Sequence, residues 1–412
     1  MLKDIATKVK NASIALKTSG INQRNSALFA MAKAIRNGSE AILSANEKDL
    51  INARKNGLQE HFIERLTLNP ARIEAIAKGI EDVCALPDPI GEIISMWTRP
   101  NGLRVGQKRV PLGVIGIIFE SRPNVTADAA ALCIKSGNAC ILRGGSDAIH
   151  SNTALVDIMQ GALAQAGLDP FCLELVRDTS RETAREMMSL RGYIDVLIPR
   201  GGAGLIKSVV ENAKIPVIET GTGNCHVYVD GICDMAMALD IAVSAKISRP
   251  SVCNSAETLL VDSSIADAFL PKCLEALREK GVEVRGCEKT MSYADWVKPA
   301  TEEDFFTEFN DMIYAVKVVK GIGEAISHIE KYSSGHSDAI ITSDYSRAQR
   351  FLDEVDSAAV YVNASTRFTD GGEFGFGAEI GISNQKLHAR GPMGLRELTT
   401  IKYIIYGNGQ TR

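Results

Sequence analysis

The sequence lacks any long apolar run. Its longest extends from Val110 to Phe119, is interrupted by Pro111, Gly113 and Gly116, and is about half the length that spans a bilayer. The first ten residues alternate charged and apolar side chains and lack the apolar core of a secretion signal. We therefore expect a cytoplasmic protein that does not insert into a membrane.

The sequence also lacks a marked excess of charge of one sign. Lysine and arginine number 46, aspartate and glutamate 50, so the formal net charge is −4. A protein whose main partner is nucleic acid or an anionic membrane usually carries a marked excess of basic residues. The near balance argues against both partners.

The cysteines lack the pairing pattern of a structural site. There are nine of them, an odd number, and no two stand in a C-x-x-C arrangement. This excludes a regular disulfide framework and makes a structural metal site improbable, so we expect no bound metal. At most one or two thiols should have a chemical role, and the others should be small buried residues.

The hydrophobic pattern predicts an α/β protein. Helical periodicity dominates the first ~80 residues, and two alternating segments around the turn TRPNG predict a β-hairpin near residues 90–110. From Leu112 strands alternate with helices, and PVIE at 216–219 is predicted as one such strand. A second α/β set begins near Asp230. Such alternation is typical of parallel sheets.

The last predicted strand, TTIKYIIYG, lies far along the chain from the other strands. It can pair with the sheet edge of a neighbouring subunit or with an edge of its own subunit. The sequence does not decide between the two.

Cys253 is the leading candidate for a nucleophile. It lies in a polar segment between a predicted helix and a predicted strand, with Arg249 four residues earlier. A reactive thiolate needs partial exposure and nearby positive charge or amide donors. The alternative is a small buried apolar residue, as expected for the other cysteines.

Two further polar residues follow predicted strands. Asn124 is predicted in a short loop, where its amide can donate to a developing oxyanion, although a turn or a helix N-cap explains it equally well. Glu219 precedes a glycine-rich turn and can act as a general base, or it can be a solvated loop carboxylate.

Glycines and cations mark candidate ligand sites. Gly201 and Gly202 join a predicted strand to a helix, where free amides attract phosphate, but the full dinucleotide fingerprint is absent and any tight turn uses glycine. His336 and Arg367 are predicted on polar loops, where each can bind a carboxylate or phosphate. A surface role is the alternative for both.

Taken together, these segments resemble the aldehyde dehydrogenase superfamily and, within it, the gamma-glutamyl phosphate reductase family. The resemblance covers essentially the whole chain. It is carried by the stretch 110–145, by VIETGTGNCHVYVD, by the spacing to Cys253, by GGEFGFGAEIGIS and above all by 319–340. It implies a Rossmann-type cofactor domain, an α/β catalytic domain and a small β element for oligomerisation.

The resemblance implies that the protein reduces L-glutamyl 5-phosphate with NADPH to L-glutamate 5-semialdehyde and phosphate, the second step of proline synthesis. In the implied mechanism the thiolate of Cys253 attacks the acyl carbon and phosphate leaves. Hydride transfer to the thioester then yields the aldehyde. The Asn124 amide and the Cys253 N–H hold the oxyanion.

Departures from the superfamily pattern predict the cofactor. The cofactor strand there ends in Lys-Pro, whereas here it ends in Arg143-Gly144, and Ser146 stands where NAD-dependent members often have a glutamate. A small neutral residue beside an arginine leaves room for a 2′-phosphate, so we predict NADP(H). Glu308 matches the glutamate that holds the nicotinamide ribose.

The substrate also needs cations and a suitable acceptor. Arg122, Arg249, His336 and Arg367 are the candidates for binding its carboxylate and phosphate. In hydrolytic relatives the residue that matches Glu219 activates water. Here phosphate accepts the acyl group, so we expect Glu219 to be dispensable.

The resemblance implies an NADP-binding domain over 1–229, a catalytic domain over 230–362, and a return segment with the oligomerisation strand over 363–412. The hairpin at 90–110 is expected to join subunits into a homodimer or a larger assembly. Since the acyl phosphate is labile, a separate glutamate 5-kinase is a candidate partner.

Three rival functions stay open on the residues alone. They are a hydrolytic aldehyde dehydrogenase, a cysteine-dependent acyltransferase without nicotinamide, and a non-catalytic oligomeric binding protein. Dependence on phosphate, on a nicotinamide and on Cys253 separates them.

Overall fold

The structure is a computed structural model that describes residues 2–120 and 122–412, without the side chain of His61. The chain forms two compact units. The first comprises the described residues of Met1–Glu219 together with Gly375–Gly381 and Met393–Arg412, and the second comprises Thr220–Phe374 and Ile382–Pro392.

The described residues form fifteen α-helices. In chain order they are α1 (Leu2–Thr18), α2 (Ile21–Asn37), α3 (Ser39–Lys55), α4 (Glu60–Leu66), α5 (Pro70–Ala85), α6 (Pro123–Lys135), α7 (Ile149–Gln165), α8 (Arg181–Met188), α9 (Ala203–Asn212), α10 (Met235–Ile247), α11 (Ala266–Glu279), α12 (Glu288–Met291), α13 (Glu302–Phe306), α14 (Ile322–Tyr332) and α15 (Tyr345–Glu354). Among these helices none is both long enough and apolar enough to cross a membrane.

The same residues form sixteen strands. They are β1 (Ile93–Thr98), β2 (Arg104–Pro111), β3 (Val114–Phe119), β4 (Ala139–Arg143), β5 (Leu173–Leu175), β6 (Val196–Arg200), β7 (Cys225–Val229), β8 (Ala256–Asp262), β9 (Glu283–Gly286), β10 (Lys298–Pro299), β11 (Ile313–Val319), β12 (Ser337–Ile341), β13 (Ala359–Val362), β14 (Ile382–Ser383), β15 (Gly391–Pro392) and β16 (Thr399–Tyr406).

The first unit is built on a four-stranded parallel sheet in the order β5-β4-β3-β6. Every residue of β3 is buried, as expected for a strand covered on both faces. Helix α1 packs on this sheet through Leu2, Ala6 and Val9, which recur at helical spacing and are buried. The helix predicted at the start of the chain is thereby confirmed.

A separate three-stranded antiparallel sheet also belongs to the first unit. β1 and β2 form the predicted hairpin, with Thr98 opposite Arg104. β16 pairs with β2 of the same chain along its whole length, from Thr399 opposite Pro111 to Tyr406 opposite Arg104. Of the two partners considered for the last strand, the structure shows the one within the subunit.

The second unit is built on a seven-stranded parallel sheet in the order β10-β9-β11-β8-β7-β12-β13. The central strands β7, β8 and β12 are buried at every position. Helices α10 and α11 cover one face, and α14 and α15 cover the other. The prediction of parallel α/β architecture is confirmed for both sheets.

Two details differ from the sequence analysis. The segment 216–219 forms only an isolated bridge, Leu197 to Val217, because Pro216 has no N–H to donate to a ladder. β7, placed before the boundary at 230, belongs to the second unit because it hydrogen-bonds to β8 and β12. Residues 363–412 divide between both units, and the functions assigned to the segments stay predictions.

Candidate active site

Cys253 lies in a tight turn between α10 and β8, where it is half-buried. Because the strands of the second sheet are parallel, the residues that precede them meet at one edge. Gly223 precedes β7 and His336 precedes β12 at this edge. Cys225, the first residue of β7, donates its S–H to the Cys253 carbonyl over 3.2 Å.

Gly223 packs directly against the nucleophile's backbone. A Cβ atom at this position would lie 1.5 Å from the carbonyl oxygen of Cys253, so only glycine fits. The N–H of Gly223 donates to Oε1 of Glu308 over 2.9 Å. Burial raises the pKa of Glu308, and the hydrogen bond from Gly223 opposes that rise.

Two arginines supply positive charge around Cys253. Arg367 donates from Nε to Oγ of Ser248 over 3.1 Å and from Nη1 to Oδ1 of Asn254. Burial lowers the pKa of Arg367, the like charge of Arg249 lowers it further, and Cys253 raises it. By the same Coulomb interaction, Arg367 favours the thiolate form of the cysteine.

His336 does not lie on an exposed loop, contrary to the sequence analysis. It is 0% exposed, its Nδ1 lies 2.8 Å from Oγ of Ser337, and the Cys225 sulfur lies 3.8 Å away. Burial lowers its pKa to about 4. The expectation of an exposed surface loop was therefore wrong, whereas the role of His336 in substrate binding stays a prediction.

Sequence reasoning missed a buried ion pair beside this edge. Lys246 and Glu257 are both 0% exposed and lie 2.5 Å apart. Burial lowers the pKa of Lys246 and raises that of Glu257 to about 8. The N–H of Asn310 donates to Glu257 over 3.2 Å, which ties the segment of Glu308 to the pair. The sequence signal that could have revealed the pair is that Lys246 and Glu257 carry opposite charges and each lies in an otherwise apolar segment.

Asn124 lies in the first turn of α6 rather than in a loop. Its Nδ2 donates to Oδ2 of Asp128 over 3.0 Å. Burial raises the pKa of Asp128 to about 6. The N-cap position belongs to Arg122, whose side chain makes no cap hydrogen bond, so the N-cap alternative for Asn124 was wrong. Glu219 is half-buried and belongs to no strand.

The predicted cofactor residues of the first unit meet at the carboxyl edge of its sheet. β4 ends at Arg143 and β6 at Arg200, and β3 lies between them. Ligands of open α/β sheets bind at this edge. Ser146 begins a short 3-10 helix two residues beyond Gly144. A Cβ at Gly144 would lie 2.2 Å from Nδ2 of Asn152, so the close packing requires glycine.

The residues at this edge offer a dinucleotide positive charge and backbone amides for its phosphates. Gly202 is the N-cap of α9, and helix N-termini attract phosphate. Its N–H donates to Oε2 of Glu120 over 2.8 Å, so a carboxylate now accepts from that amide. Arg143 donates from Nη2 to the carbonyls of Thr179 and Ser180, over 2.5 and 3.2 Å. No cluster of potential metal ligands occurs among the described residues.

Comparisons with known proteins show the family to which the chain belongs. The model of the aldehyde dehydrogenase family matches residues 2–290. A gamma-glutamyl phosphate reductase from Carboxydothermus hydrogenoformans is 60% identical over 409 residues, which cover 99% of both chains. One from Clostridium perfringens is 58% identical over 405 residues, which cover 98% of both.

A solved structure extends the agreement to the fold. Gamma-glutamyl phosphate reductase from Thermotoga maritima matches with a TM-score of 0.98 at 50% identity, over 99% of each chain. The predicted aldehyde dehydrogenase-like α/β fold is thereby confirmed, and the chain is an oxidoreductase. It belongs to the aldehyde dehydrogenase family and, within it, to the gamma-glutamyl phosphate reductases.

Proposed function

We propose that the protein reduces L-glutamyl 5-phosphate to L-glutamate 5-semialdehyde and phosphate with NADPH, the second step of proline synthesis from glutamate. The observation that carries this proposal is the full-length 60% identity to a relative named gamma-glutamyl phosphate reductase. The turn at Cys253, held against Gly223 and flanked by two arginines, supports a thiol mechanism.

Cys253 acts as the nucleophile. Its thiolate attacks the acyl carbon of the substrate, and the tetrahedral adduct expels phosphate to leave a thioester. The hydride that reduces this thioester would come from NADPH held by the cofactor residues named below. The resulting thiohemiacetal collapses to the aldehyde and regenerates the thiolate, so the cysteine is unchanged over the cycle.

Both tetrahedral stages place negative charge on the former carbonyl oxygen. The backbone N–H of Cys253 is one proposed donor, and the Asn124 amide stays a proposed second donor. Loss of one such donor typically costs about 2.7–4 kcal/mol of transition-state stabilisation. Arg249, Arg367 and Arg122 are the proposed cations for the substrate's carboxylate and phosphate.

The cofactor assignment rests on the first sheet. Arg143, Gly144, Ser146, Gly201 and Gly202 are the residues that would hold NADP(H), since they lie at its carboxyl edge. Members of the aldehyde dehydrogenase family use a nicotinamide cofactor, and the positive charge beside a small Ser146 supports a 2′-phosphate. NADH used at least as efficiently as NADPH would contradict this.

Glu308 and Glu219 have weaker support. The proposal that Glu308 holds the nicotinamide ribose is compatible with its place beside Gly223. Glu219 is proposed to be dispensable, because phosphate and not water accepts the acyl group. A folded Glu219→Gln protein without phosphate-dependent turnover would refute that proposal.

We also propose a homodimer or larger assembly in the cytoplasm. The three-stranded sheet exposes Trp97, Ile401, Tyr403 and Ile405, and exposed apolar patches mark protein interfaces. All nine cysteines are free thiols, which fits a reducing compartment. Contact with a glutamate 5-kinase is proposed only from the lability of the acyl phosphate.

The acceptor decides between this function and its rivals. Purified protein is given glutamate 5-semialdehyde and NADP⁺ with phosphate, with coenzyme A, or with neither, and NADPH formation is followed by absorbance. We expect continued turnover only with phosphate. Equal turnover without an acceptor would indicate a hydrolytic dehydrogenase, and turnover only with coenzyme A would indicate an acylating one.

A further inference from the structure

Asn254, the residue after Cys253, is held by a dense set of hydrogen bonds. Its side chain is 5% exposed. Nδ2 donates to the carbonyls of Arg367 and Thr369, over 3.1 and 2.9 Å, and Oδ1 accepts from Nη1 of Arg367. The backbone carbonyl of Asn254 accepts from Oγ1 of Thr366 over 2.8 Å. All four bonds reach the segment 366–369.

This donor and acceptor pattern is specific to a carboxamide of this length. Two carbonyls require two N–H donors, while the arginine requires an acceptor on the same side chain. Aspartate keeps the acceptor but has no donors, and alanine has neither. Because the site is buried, a carbonyl left unpaired there would carry its full desolvation cost.

Contacts from outside the turn hold the backbone around the nucleophile. Within the turn the Ser255 N–H donates to the Val252 carbonyl over 3.0 Å. The Cys253 carbonyl is held by Cys225, and the next residue is held by segment 366–369. Contacts from β7 and from segment 366–369 therefore hold the turn that carries the nucleophile.

Segment 366–369 is itself anchored to the sheet. Oγ1 of Thr369 shares hydrogen bonds with Oγ of Ser337 over 2.6 Å and with the hydroxyl of Tyr361 over 2.7 Å. Ser337 begins β12 and Tyr361 lies on β13. The contacts of Asn254 thus connect the turn to two neighbouring strands rather than to a loose loop.

We propose that Asn254 is a positioning residue for Cys253. Its carboxamide fixes the backbone on the carboxyl side of the nucleophile and holds the guanidinium of Arg367 where its charge acts on the sulfur. This role rests on the proposed function of Cys253 and adds a residue to it. Misplacement of a reacting group by about 1 Å can cost roughly 100-fold in rate.

The test compares Asn254→Ala and Asn254→Asp with wild type and with Asn52→Ala, a change at an exposed asparagine of α3. The first readout is phosphate-dependent turnover. We expect kcat to fall roughly 100-fold in both Asn254 variants, with the KM for the aldehyde changed by less than about threefold. Asn52→Ala should match wild type.

The second readout needs neither substrate nor cofactor. Iodoacetamide labelling of Cys253 is measured against pH by mass spectrometry of its peptide. The midpoint should move to higher pH in both variants, most in Asn254→Asp, where a carboxylate replaces the amide near the sulfur. A merely structural role would lower the melting temperature without moving this midpoint.

If the Asn254 variants do not fold, Thr366→Val replaces them in both assays, since it removes only the hydroxyl that donates to the Asn254 carbonyl. It should lower kcat several-fold, while the melting temperature falls only by the amount expected for the loss of one buried hydrogen bond. Asn254→Ala, or Thr366→Val in its place, with wild-type kcat and an unchanged labelling profile would overturn the proposal. Wild type without phosphate-dependent activity would instead refute the proposed function.

Discussion

At the scale of single residues, burial makes His336 a pH-sensitive part of the fold. Its pKa falls from 6.5 to about 4 on burial, so the unfolded chain binds more protons between these values and stability decreases as pH falls from 6.5 toward 4. The loss amounts to roughly 3 kcal/mol at the acid end. His336→Asn keeps a hydrogen-bonding group and removes the titration.

We expect the melting temperature of His336→Asn to fall less steeply than that of wild type when pH is lowered from 7 to 4. The exposed His150 offers a matched control, and His150→Asn should follow the wild-type curve. Parallel curves for His336→Asn and wild type would show that His336 is not held neutral by burial.

Gly223 makes a second prediction at the residue scale. Alanine there would place its Cβ 1.5 Å from the Cys253 carbonyl, and because the obstacle is backbone, the turn must move. We expect Gly223→Ala to lose roughly 100-fold in kcat and about 1–3 kcal/mol in stability. Gly161→Ala, on α7 with open space around the Cβ, should retain activity. Wild-type kcat in Gly223→Ala would contradict the packing.

Local sequence identified part of the site and missed the rest for a physical reason. Cys253 stood out because a thiol between polar residues and near Arg249 is unusual. His336 was placed on an exposed loop because its sequence neighbours are polar, whereas the structure buries it completely beside the first residue of β12. The contacts of Asn254 join residues more than 100 positions apart, so no local pattern reveals them.

At the scale of elements, the N-terminus of α9 carries the cofactor prediction. The amide of Gly202 donates to Glu120, so a carboxylate competes there with any phosphate of the cofactor. Removing a charge at a helix N-terminus changes affinity by about 0.3–1 kcal/mol. We expect Glu120→Gln to bind NADPH about twofold to fivefold more tightly, as measured by nucleotide fluorescence.

Glu211→Gln is the control, because Glu211 lies at the other end of the same helix. Its NADPH affinity should equal that of wild type. Weaker NADPH binding by Glu120→Gln would mean that the carboxylate contacts the cofactor instead of competing with it.

Elements were predicted well where their hydrophobic pattern was long. The hairpin β1–β2 follows from the alternation of its residues, and helix α1 follows from the helical spacing of its apolar side chains. The segment 216–219 is as apolar as a strand, yet it forms only one bridge. Pro216 has no backbone N–H to donate, and the apolar composition of the segment does not reveal this loss. Strand pairing depends on neighbours as much as on the strand itself.

For the whole molecule, the exposed sheet predicts self-association. Ile401, Tyr403 and Ile405 alternate along β16 and so share one face, and Trp97 packs edge-on to Tyr403 with ring centroids 6.4 Å apart. We expect Ile405→Asp to reduce the assembly to single chains of 44.4 kDa, as measured by light scattering. Lys402→Asp, on the opposite face, should retain the assembly. A monomeric wild type would contradict the proposal.

The sequence predicted that the chain has two α/β parts, but it did not predict which residues belong to each part. The change of texture near Asp230 marks a second α/β set, and the described residues indeed form two separate parallel sheets. The return of residues 375–381 and 393–412 to the first unit depends on contacts between distant segments, which a reading along the sequence does not contain.

The central claim, that Cys253 carries out phosphate-dependent chemistry with NADP(H), is tested most directly by one comparison. Wild type, Cys253→Ala and the control Cys233→Ala, a half-buried free thiol, are assayed for NADPH formation from glutamate 5-semialdehyde with and without phosphate. The account predicts phosphate-dependent turnover for wild type and Cys233→Ala, and none for a folded Cys253→Ala. Turnover by Cys253→Ala at the wild-type rate would contradict it.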